Sequence, residues 1–306
     1  MRIAVLIPCH NEALTIRKVV ADFSSELPGA DIFVYDNAST DGTATEAEGA
    51  GAIVRYEPKK GKGNVVRRMF DEIDADIYVM VDGDDTYPAS EIKKLIGPVA
   101  SEHADMVVGN RLNSYTDKSF RRFHRFGNNL ITSLIRLLFR TKVKDVFSGY
   151  RVFSKSFVES NVIFSRGFEI ETELTLQAID RNYPFIEIDI PFRSRPGGSV
   201  SKLNTFRDGI LIIKTVFWIF KHYRPLIFFS SIGGILFVLS LLIGIPVILE
   251  FISYRYVYKV PSAVLSASLM ILSFLSFSIG LILDTIARNQ REIVSLISKC
   301  NKKNSV

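Results

Sequence analysis

Two long runs without a charged residue restrict what this chain can fold into. Residues 226–249 form an uncharged run of 24 residues, and residues 263–283 form a second run of 21. As a helix the first run would be about 36 Å long, which exceeds the roughly 30 Å of a bilayer core. Only about a dozen residues separate the two runs. The sequence therefore predicts a transmembrane helical hairpin over residues 225–284.

Basic residues flank the predicted hairpin at its outer ends. Lysines and arginines lie in residues 214–224 before it and in residues 285–306 after it, whereas the connector carries only Arg255 and Lys259. Cytoplasmic flanks of transmembrane helices are enriched in Lys and Arg. We therefore expect a multi-pass protein of the cell (inner or plasma) membrane, with both termini and the preceding domain in the cytoplasm.

The first two thirds of the chain alternate short apolar runs with helical patterns. Strand patterns occur at six places: residues 3–7, 31–35, 52–55, 77–81, 106–108 and 186–192. Alternation of strands and helices predicts right-handed crossovers and a mostly parallel sheet. The predicted fold class is therefore α/β, with a Rossmann-like sheet whose loops share one edge.

The fourth strand pattern runs directly into a cluster of carboxylates. Asp82 and Asp84 are separated by Gly83, which allows a ligand to approach the backbone. Open α/β sheets bind their ligands at the carboxyl ends of the strands. Carboxylate oxygens suit Mg²⁺ or Mn²⁺ bound to a diphosphate, because Mg²⁺ usually takes only one or two protein carboxylates. A solvated acidic turn is the alternative that this stretch alone leaves open.

The positive charge of the chain is concentrated in one block. Residues 118–144 contain eight Lys or Arg and no Asp or Glu, within a chain of net charge +6. Aromatic and aliphatic residues recur near helical spacing over residues 119–139 and again over residues 206–223, which predicts amphipathic helices at an anionic membrane surface. The alternative is an ordinary surface helix packed on the sheet. No base-reading motif accompanies the charge, so nucleic acid is not an expected partner.

Short motifs in a fixed order make the chain similar to a known family. The early motifs are Pro8-Cys9-His10-Asn11-Glu12, the Asp36 loop, Gly61-Lys62-Gly63 and Asp82-Gly83-Asp84. In this order they resemble the family 2 glycosyltransferases of GT-A fold. The later motifs are Gly109-Asn110-Arg111, residues 145–151, Gly167-Phe168-Glu169 and residues 198–202. They resemble the polyprenyl-phosphate glycosyltransferases, which include the bactoprenol glucosyltransferases and the dolichol-phosphate mannose synthases. The resemblance covers roughly residues 1–290.

The resemblance implies roles for individual residues. A pocket for the nucleotide sugar is implied for Pro8, Glu12, Asp36, Asn37, Gly63, Asp82 and Asp84. Asp84, with Asp82, is implied to hold the divalent metal, Mg²⁺ or Mn²⁺. Asp145 stands where the family carries its proposed catalytic base, so it is expected to orient or deprotonate the acceptor. The residues expected to hold the acceptor phosphate are Arg111, Arg122, Arg125 and Lys202.

The resemblance also implies an activity. It is the inverting transfer of a sugar from a nucleotide sugar to polyprenyl (undecaprenyl) phosphate, which gives a lipid-linked monosaccharide for modification of cell-surface glycans. UDP-glucose is the first choice of donor, and UDP-N-acetylglucosamine and GDP-mannose stay open. The expected partners are the nucleotide sugar, the lipid, the membrane and further copies of the chain, in a homotetramer.

The implied domains divide the chain into four parts. They are a GT-A domain at 1–205, an interfacial helix at 206–224, the hairpin at 225–284 and a basic cytoplasmic tail at 285–306. A processive polysaccharide synthase is one alternative, but Trp218 is the only tryptophan and stands outside the Gln-x-x-Arg-Trp motif of those enzymes. A non-catalytic membrane scaffold is the other, and it would be expected to have lost carboxylates that this chain retains.

Overall fold

The protein forms two compact units in a computed structural model, Met1–Gly209 and Ile210–Val306. The structure describes residues 1–112, 122–167, 169–195, 214, 217–221 and 223–304, without the side chains of 122–128, 291 and 294–304. Most of the predicted interfacial helix at 206–224 lies outside the described residues. That part of the domain division stays a prediction.

The first unit contains a seven-stranded sheet. Its strands are β1 (Ile3–Cys9), β2 (Asp31–Asp36), β3 (Ile53–Tyr56), β4 (Ile77–Met80), β5 (Met106–Asn110), β6 (Arg151–Ser154) and β7 (Phe185–Asp189). They are ordered β3-β2-β1-β4-β6-β5-β7. Only β6 runs antiparallel to its neighbours β4 and β5. The predicted α/β class with a mostly parallel sheet is confirmed.

Helices cover both faces of this sheet. They are α1 (Ile16–Glu26), α2 (Thr43–Gly49), α3 (Lys62–Glu72), α4 (Ile92–Ala100), α5 (Arg122–Phe139), α6 (Lys155–Ser160) and α7 (Ile170–Asp180). Alternate residues of a strand point to opposite faces. Accordingly, Val5 and Ile7 of β1 pack in one cluster with α1 and α4. Ala4 and Leu6 pack in another with α3, α6 and α7. The sheet is thus the middle layer of three, and its strand ends stay open for a site.

The second unit contains two long apolar helices, α8 (Pro225–Tyr254) and α9 (Val260–Asn304). Both are long and apolar enough to cross a membrane, over Pro225–Tyr254 and Val260–Gln290. The Ser240 and Ser266 hydroxyls each donate to the other residue's carbonyl at 2.9 Å, and Ser273 donates to the Gly233 carbonyl at 2.8 Å. Small residues therefore bring the two helices together as an antiparallel pair. The second helix continues well beyond the predicted run at 263–283.

Candidate active site

The candidate site lies where β1, β2 and β4 end. Cys9 at the end of β1 is paired in register with Asp36 at the end of β2. The loop that begins at Val81 follows β4, the other neighbour of β1. Because these strands are parallel, their carboxyl ends and the loops after them meet at one edge. The structure thus brings together the early motifs that the sequence analysis singled out.

The loops after β1 and β2 are bound to each other. Pro8 lies within β1, and Glu12 in the turn that follows donates its N–H to the Thr43 hydroxyl at 2.9 Å. Asp36 is buried, and its carboxylate accepts the N–H of Ser39 at 3.2 Å. These contacts fix the two loops for which the family resemblance implies a role in binding the nucleotide.

Asn37 connects three of these loops. Its N–H donates to the Cys9 carbonyl at 2.8 Å. Its side-chain amide donates to the carbonyls of Glu57 and Lys59, both at 2.9 Å. Its side-chain oxygen accepts the N–H of Gly61 at 2.7 Å. Asn37 therefore holds the wall of the pocket in place, because its side-chain amide forms hydrogen bonds with the backbone.

The glycines that begin α3 allow a close approach of two backbones. A Cβ atom at Gly61 would collide with the carbonyl of Arg166, and one at Gly63 would collide with that of Ser165. Gly61 also has a φ of 124°, a conformation that favours glycine. The Gly63 N–H donates to the Gly167 carbonyl at 3.2 Å. This loop is therefore packed on the segment that leads into α7.

Lys62 lies between two carboxylates that are distant in the sequence. Its ammonium contacts Asp82 Oδ1 and Glu171 Oε1, both at 2.5 Å. The side chains of Lys62 and Glu171 are only 9% and 6% exposed. Burial by itself lowers the pKa of Lys62, but the two carboxylates outweigh it and raise the pKa above its ordinary value. The lysine therefore stays charged, and it fixes the carboxylate of Asp82.

Asp84 is held between a hydroxyl and a guanidinium. Its Oδ1 accepts the hydroxyl of Thr86 at 2.6 Å, and its Oδ2 lies 2.7 Å from Nη2 of Arg195. The described residues contain no group of three or more His, Cys, Asp or Glu side chains that could hold a metal. A diphosphate-bound Mg²⁺ needs only one or two carboxylates, however, and Asp84 Oδ2 already faces a positive charge. Asp82 and Asp84 thus fit the predicted metal.

Asp145 and Arg111 form an ion pair. Nε of Arg111 donates to Asp145 Oδ2 at 3.0 Å, and Nη2 donates to the Phe147 carbonyl at 3.0 Å. Nη1 of Arg111 lies 3.4 Å from the hydroxyl of Tyr87, which also accepts the N–H of Gly149 at 3.0 Å. The residue expected to act on the acceptor and a residue expected to hold its phosphate are therefore in direct contact.

Gly149 connects this ion pair to the acidic turn. A Cβ atom there would collide with the carboxylate of Asp82, so residue 149 lies directly against it. Of the other expected phosphate ligands, the side chains of Arg122 and Arg125 and the whole of Lys202 lie outside the described residues.

Four residues of this region had no role in the sequence analysis: Lys62, Arg151, Glu171 and Arg195. Lys62, Arg151 and Glu171 fall within or beside motifs that were noted. Arg151 is fully buried and donates to the carbonyls of Ser148 and Val146, both at 2.8 Å. It shapes the loop that carries Asp145. The sequence contains these residues, but it does not indicate which residues they contact in the fold.

Comparisons with known proteins identify the family of the chain. Residues 4–161 match the family described as Glycosyl transferase family 2. Glycosyltransferase AglJ of Haloferax volcanii is 34% identical over 232 residues, which make up 76% of this chain and 76% of that protein. A dolichyl-phosphate hexose transferase of the same organism is 28% identical over 214 residues, 70% of this chain and 92% of that protein.

A solved structure shares the fold. It is glucosyl-3-phosphoglycerate synthase from Mycobacterium tuberculosis in complex with Mn²⁺, UDP-glucose and phosphoglyceric acid. The similarity has a TM-score of 0.58 at 22% sequence identity, and it covers 70% of this chain and 79% of that one. The predicted GT-A fold and the predicted glycosyltransferase class are confirmed, and the chain belongs to glycosyl transferase family 2.

Proposed function

We propose that the protein transfers a sugar from a nucleotide sugar to polyprenyl phosphate at the cytoplasmic face of a membrane. UDP-glucose is the first donor to test, with UDP-N-acetylglucosamine and GDP-mannose as alternatives. The observation that carries this proposal is that one chain combines the carboxylates of Asp82, Asp84 and Asp145 with two helices that are long enough to span a bilayer. The similarity to a dolichyl-phosphate hexose transferase supports a lipid phosphate as acceptor.

The donor side of the site would be built on the acidic turn. Asp84, with Asp82, would hold Mg²⁺ or Mn²⁺, which neutralises charge on the departing diphosphate when it is bound. Lys62 keeps Asp82 in place, and the Thr86 hydroxyl keeps Asp84 in place. Asp36 and Glu12 would face the base and the ribose. A solved structure of the same fold contains Mn²⁺ and UDP-glucose, so these are the first ligands to offer.

The acceptor supplies its own nucleophile. A phosphate monoester has a second pKa near 6, so it is largely dianionic at neutral pH. One phosphate oxygen would attack the anomeric carbon as the bond from that carbon to the nucleoside diphosphate breaks, and the configuration inverts. The guanidinium of Arg111 would hold the phosphate, since it gives planar, two-pronged contact. A strong general base is not required for this step.

The membrane location follows from the same proposal. The basic flanks of the hairpin favour cytoplasmic ends, and α5 and residues 206–224 would set the depth of the catalytic unit at the headgroups. The predicted homotetramer stays part of the proposal.

Transfer to lipid phosphate tests the proposed function directly. Detergent-purified protein is given a panel of radiolabelled nucleotide sugars with undecaprenyl phosphate, with and without EDTA. We expect a lipid-linked monosaccharide, which is lost with EDTA and in Asp84→Ala while that variant still folds and inserts. Full activity of Asp84→Ala in the presence of metal would refute the role of this turn. A polymeric product would indicate a synthase, and no product from any donor would indicate a scaffold.

A further inference from the structure

The surroundings of Asp145 do not resemble those of a residue that takes protons from a ligand. Its side chain is 0% exposed. Its Oδ2 accepts the N–H of Arg111 at 3.3 Å as well as the Nε–H at 3.0 Å. Its Oδ1 accepts the N–H of Phe147 at 3.2 Å. Both oxygens of the carboxylate are therefore already used as acceptors inside the protein.

The backbone that carries Asp145 is held from a different strand. Glu187 of β7 accepts the N–H groups of Lys144 and Asp145, each at 2.9 Å. Strand β7 pairs with β5, whose last residue directly precedes Arg111. The loops that carry the acid and the base of the ion pair are thus both attached to the adjacent strands β5 and β7. Rigid elements of this kind are suited to holding a side chain within a narrow range of geometry.

Arg111 is held on several sides as well. Its Nη2 donates to the Phe147 carbonyl, and the guanidinium carbon lies 5.5 Å from the centre of the Phe192 ring. The tyrosine hydroxyl of Tyr87 lies 3.4 Å from Nη1. The contact between Nε and Asp145 fixes the rotation of the guanidinium plane, because the guanidinium is a rigid, planar group.

We infer that Asp145 is a positioning residue, which acts on the acceptor only through Arg111. This inference rests on the proposed function, because it takes the ligand of Arg111 to be the phosphate of a polyprenyl phosphate. Asp145 keeps the guanidinium in one orientation before the lipid arrives. No proton passes to Asp145 in the reaction, because the phosphate oxygen that attacks is already deprotonated.

A double-mutant cycle separates positioning from base catalysis. The variants are Asp145→Asn, Arg111→Lys and the two combined, each assayed for kcat and for KM of both substrates. We expect Asp145→Asn to lower kcat/KM for the lipid by about 10- to 100-fold, the range for one charge-assisted hydrogen bond. The KM for the nucleotide sugar should stay near the wild-type value. Because Asp145 acts through Arg111, the double variant should be no worse than Arg111→Lys alone.

The pH profile and a control variant further distinguish positioning from base catalysis. A positioning residue leaves the shape of the pH profile of kcat unchanged in Asp145→Asn, since the lipid phosphate sets that profile. Multiplied losses in the double variant, or a pH limb that disappears in Asp145→Asn, would overturn the inference in favour of a base. Asp105→Asn is the matched control, because Asp105 accepts the hydroxyls of Ser154 and Ser156 at 2.7 and 2.8 Å outside the site. It should leave transfer unchanged.

Direct binding measures the role of Arg111 and Asp145 independently of turnover. The affinity for farnesyl phosphate, measured by titration, should fall by about 10-fold or more in both single variants, while the affinity for UDP is retained. If wild-type protein binds this ligand but transfers nothing to lipid, the proposed function fails and the positioning role stands. If Asp145→Asn does not fold, Arg111→Lys decides: binding and transfer equal to wild type would show that the pair does not serve the acceptor.

Discussion

Replacing Lys62 with methionine should destabilise the catalytic unit more than any exposed lysine replacement. Lys62 is the cation between Asp82 and Glu171, and it contacts each of them at 2.5 Å. Methionine keeps most of the side-chain volume but removes the ammonium. Glu171, which is 6% exposed, then loses its cation in a buried position beside Asp82. The loss is therefore that of one partner from a buried ion pair, with no gain elsewhere.

The size of the effect follows from that geometry. Removing one partner of a buried ion pair costs about 3–5 kcal/mol of unfolding free energy. For a unit of roughly 200 residues, each kcal/mol lowers the midpoint of thermal unfolding by about 2–4 °C. We therefore expect the midpoint of Lys62→Met to fall by about 6–20 °C. Adding Glu171→Gln should recover part of this loss, because the uncompensated charge is removed.

Lys155→Met provides the matched control. Lys155 also has two carboxylate partners, Asp74 at 2.6 Å and Glu159 at 3.7 Å, but its side chain is 41% exposed. Exposed pairs of this kind contribute little to the free energy of unfolding. Thermal unfolding of the detergent-purified variants, followed by far-ultraviolet circular dichroism, gives the comparison. Equal midpoints for Lys62→Met and Lys155→Met would refute the reasoning from burial.

Three other changes have expected outcomes. Arg195→Met removes the guanidinium from Asp84, so Mn²⁺ should bind more tightly without nucleotide; an unchanged affinity by electron paramagnetic resonance would contradict this. Gly244→Leu should loosen the hairpin and lower its thermal stability in detergent, because a Cβ at residue 244 would collide with Ser266 of α9. Gly234→Leu is the control, because a Cβ at residue 234 has no atom within 4 Å. Burial raises the pKa of Glu72, but hydrogen bonds from Arg68, Arg55 and Tyr35 lower it to about 2. Wild type should therefore be more stable than Glu72→Gln above about pH 5, and this difference should vanish towards pH 2. Urea unfolding at a series of pH values measures the difference.

The sequence was informative where local pattern decides structure. Strands β1, β2 and β4 are short apolar runs bounded by turn residues. Such runs can be recognised from the segment itself, without knowing which strands lie beside it. Strand β6 was missed because it begins with Arg151, and a charged residue at the start of a four-residue run argues against a buried strand. The structure buries that guanidinium by giving it carbonyl partners in the preceding loop.

Element ends were displaced where distant segments compete for the backbone. The strand predicted at 186–192 ends at Asp189, and the chain then crosses to the acidic turn, where the Arg193 N–H donates to the Thr86 carbonyl at 2.9 Å. This contact cannot be read from periodicity within one segment.

The pairing of acids with bases could not be predicted for the same reason, and it decides how the site can receive a charged ligand. Carboxylates gathered at one edge of a sheet repel each other unless cations are brought to them. The described contacts bring three cations to four carboxylates, a net charge of −1: Lys62, Arg111 and Arg195, with Asp82, Asp84, Asp145 and Glu171. Each cation comes from a segment of the chain that is distant from the carboxylates that it contacts. A nucleotide sugar with two negative charges on its diphosphate, bound to one divalent cation, adds no net charge. The two together therefore leave the net charge of these pairs unchanged, whereas the nucleotide alone would add to the negative surplus.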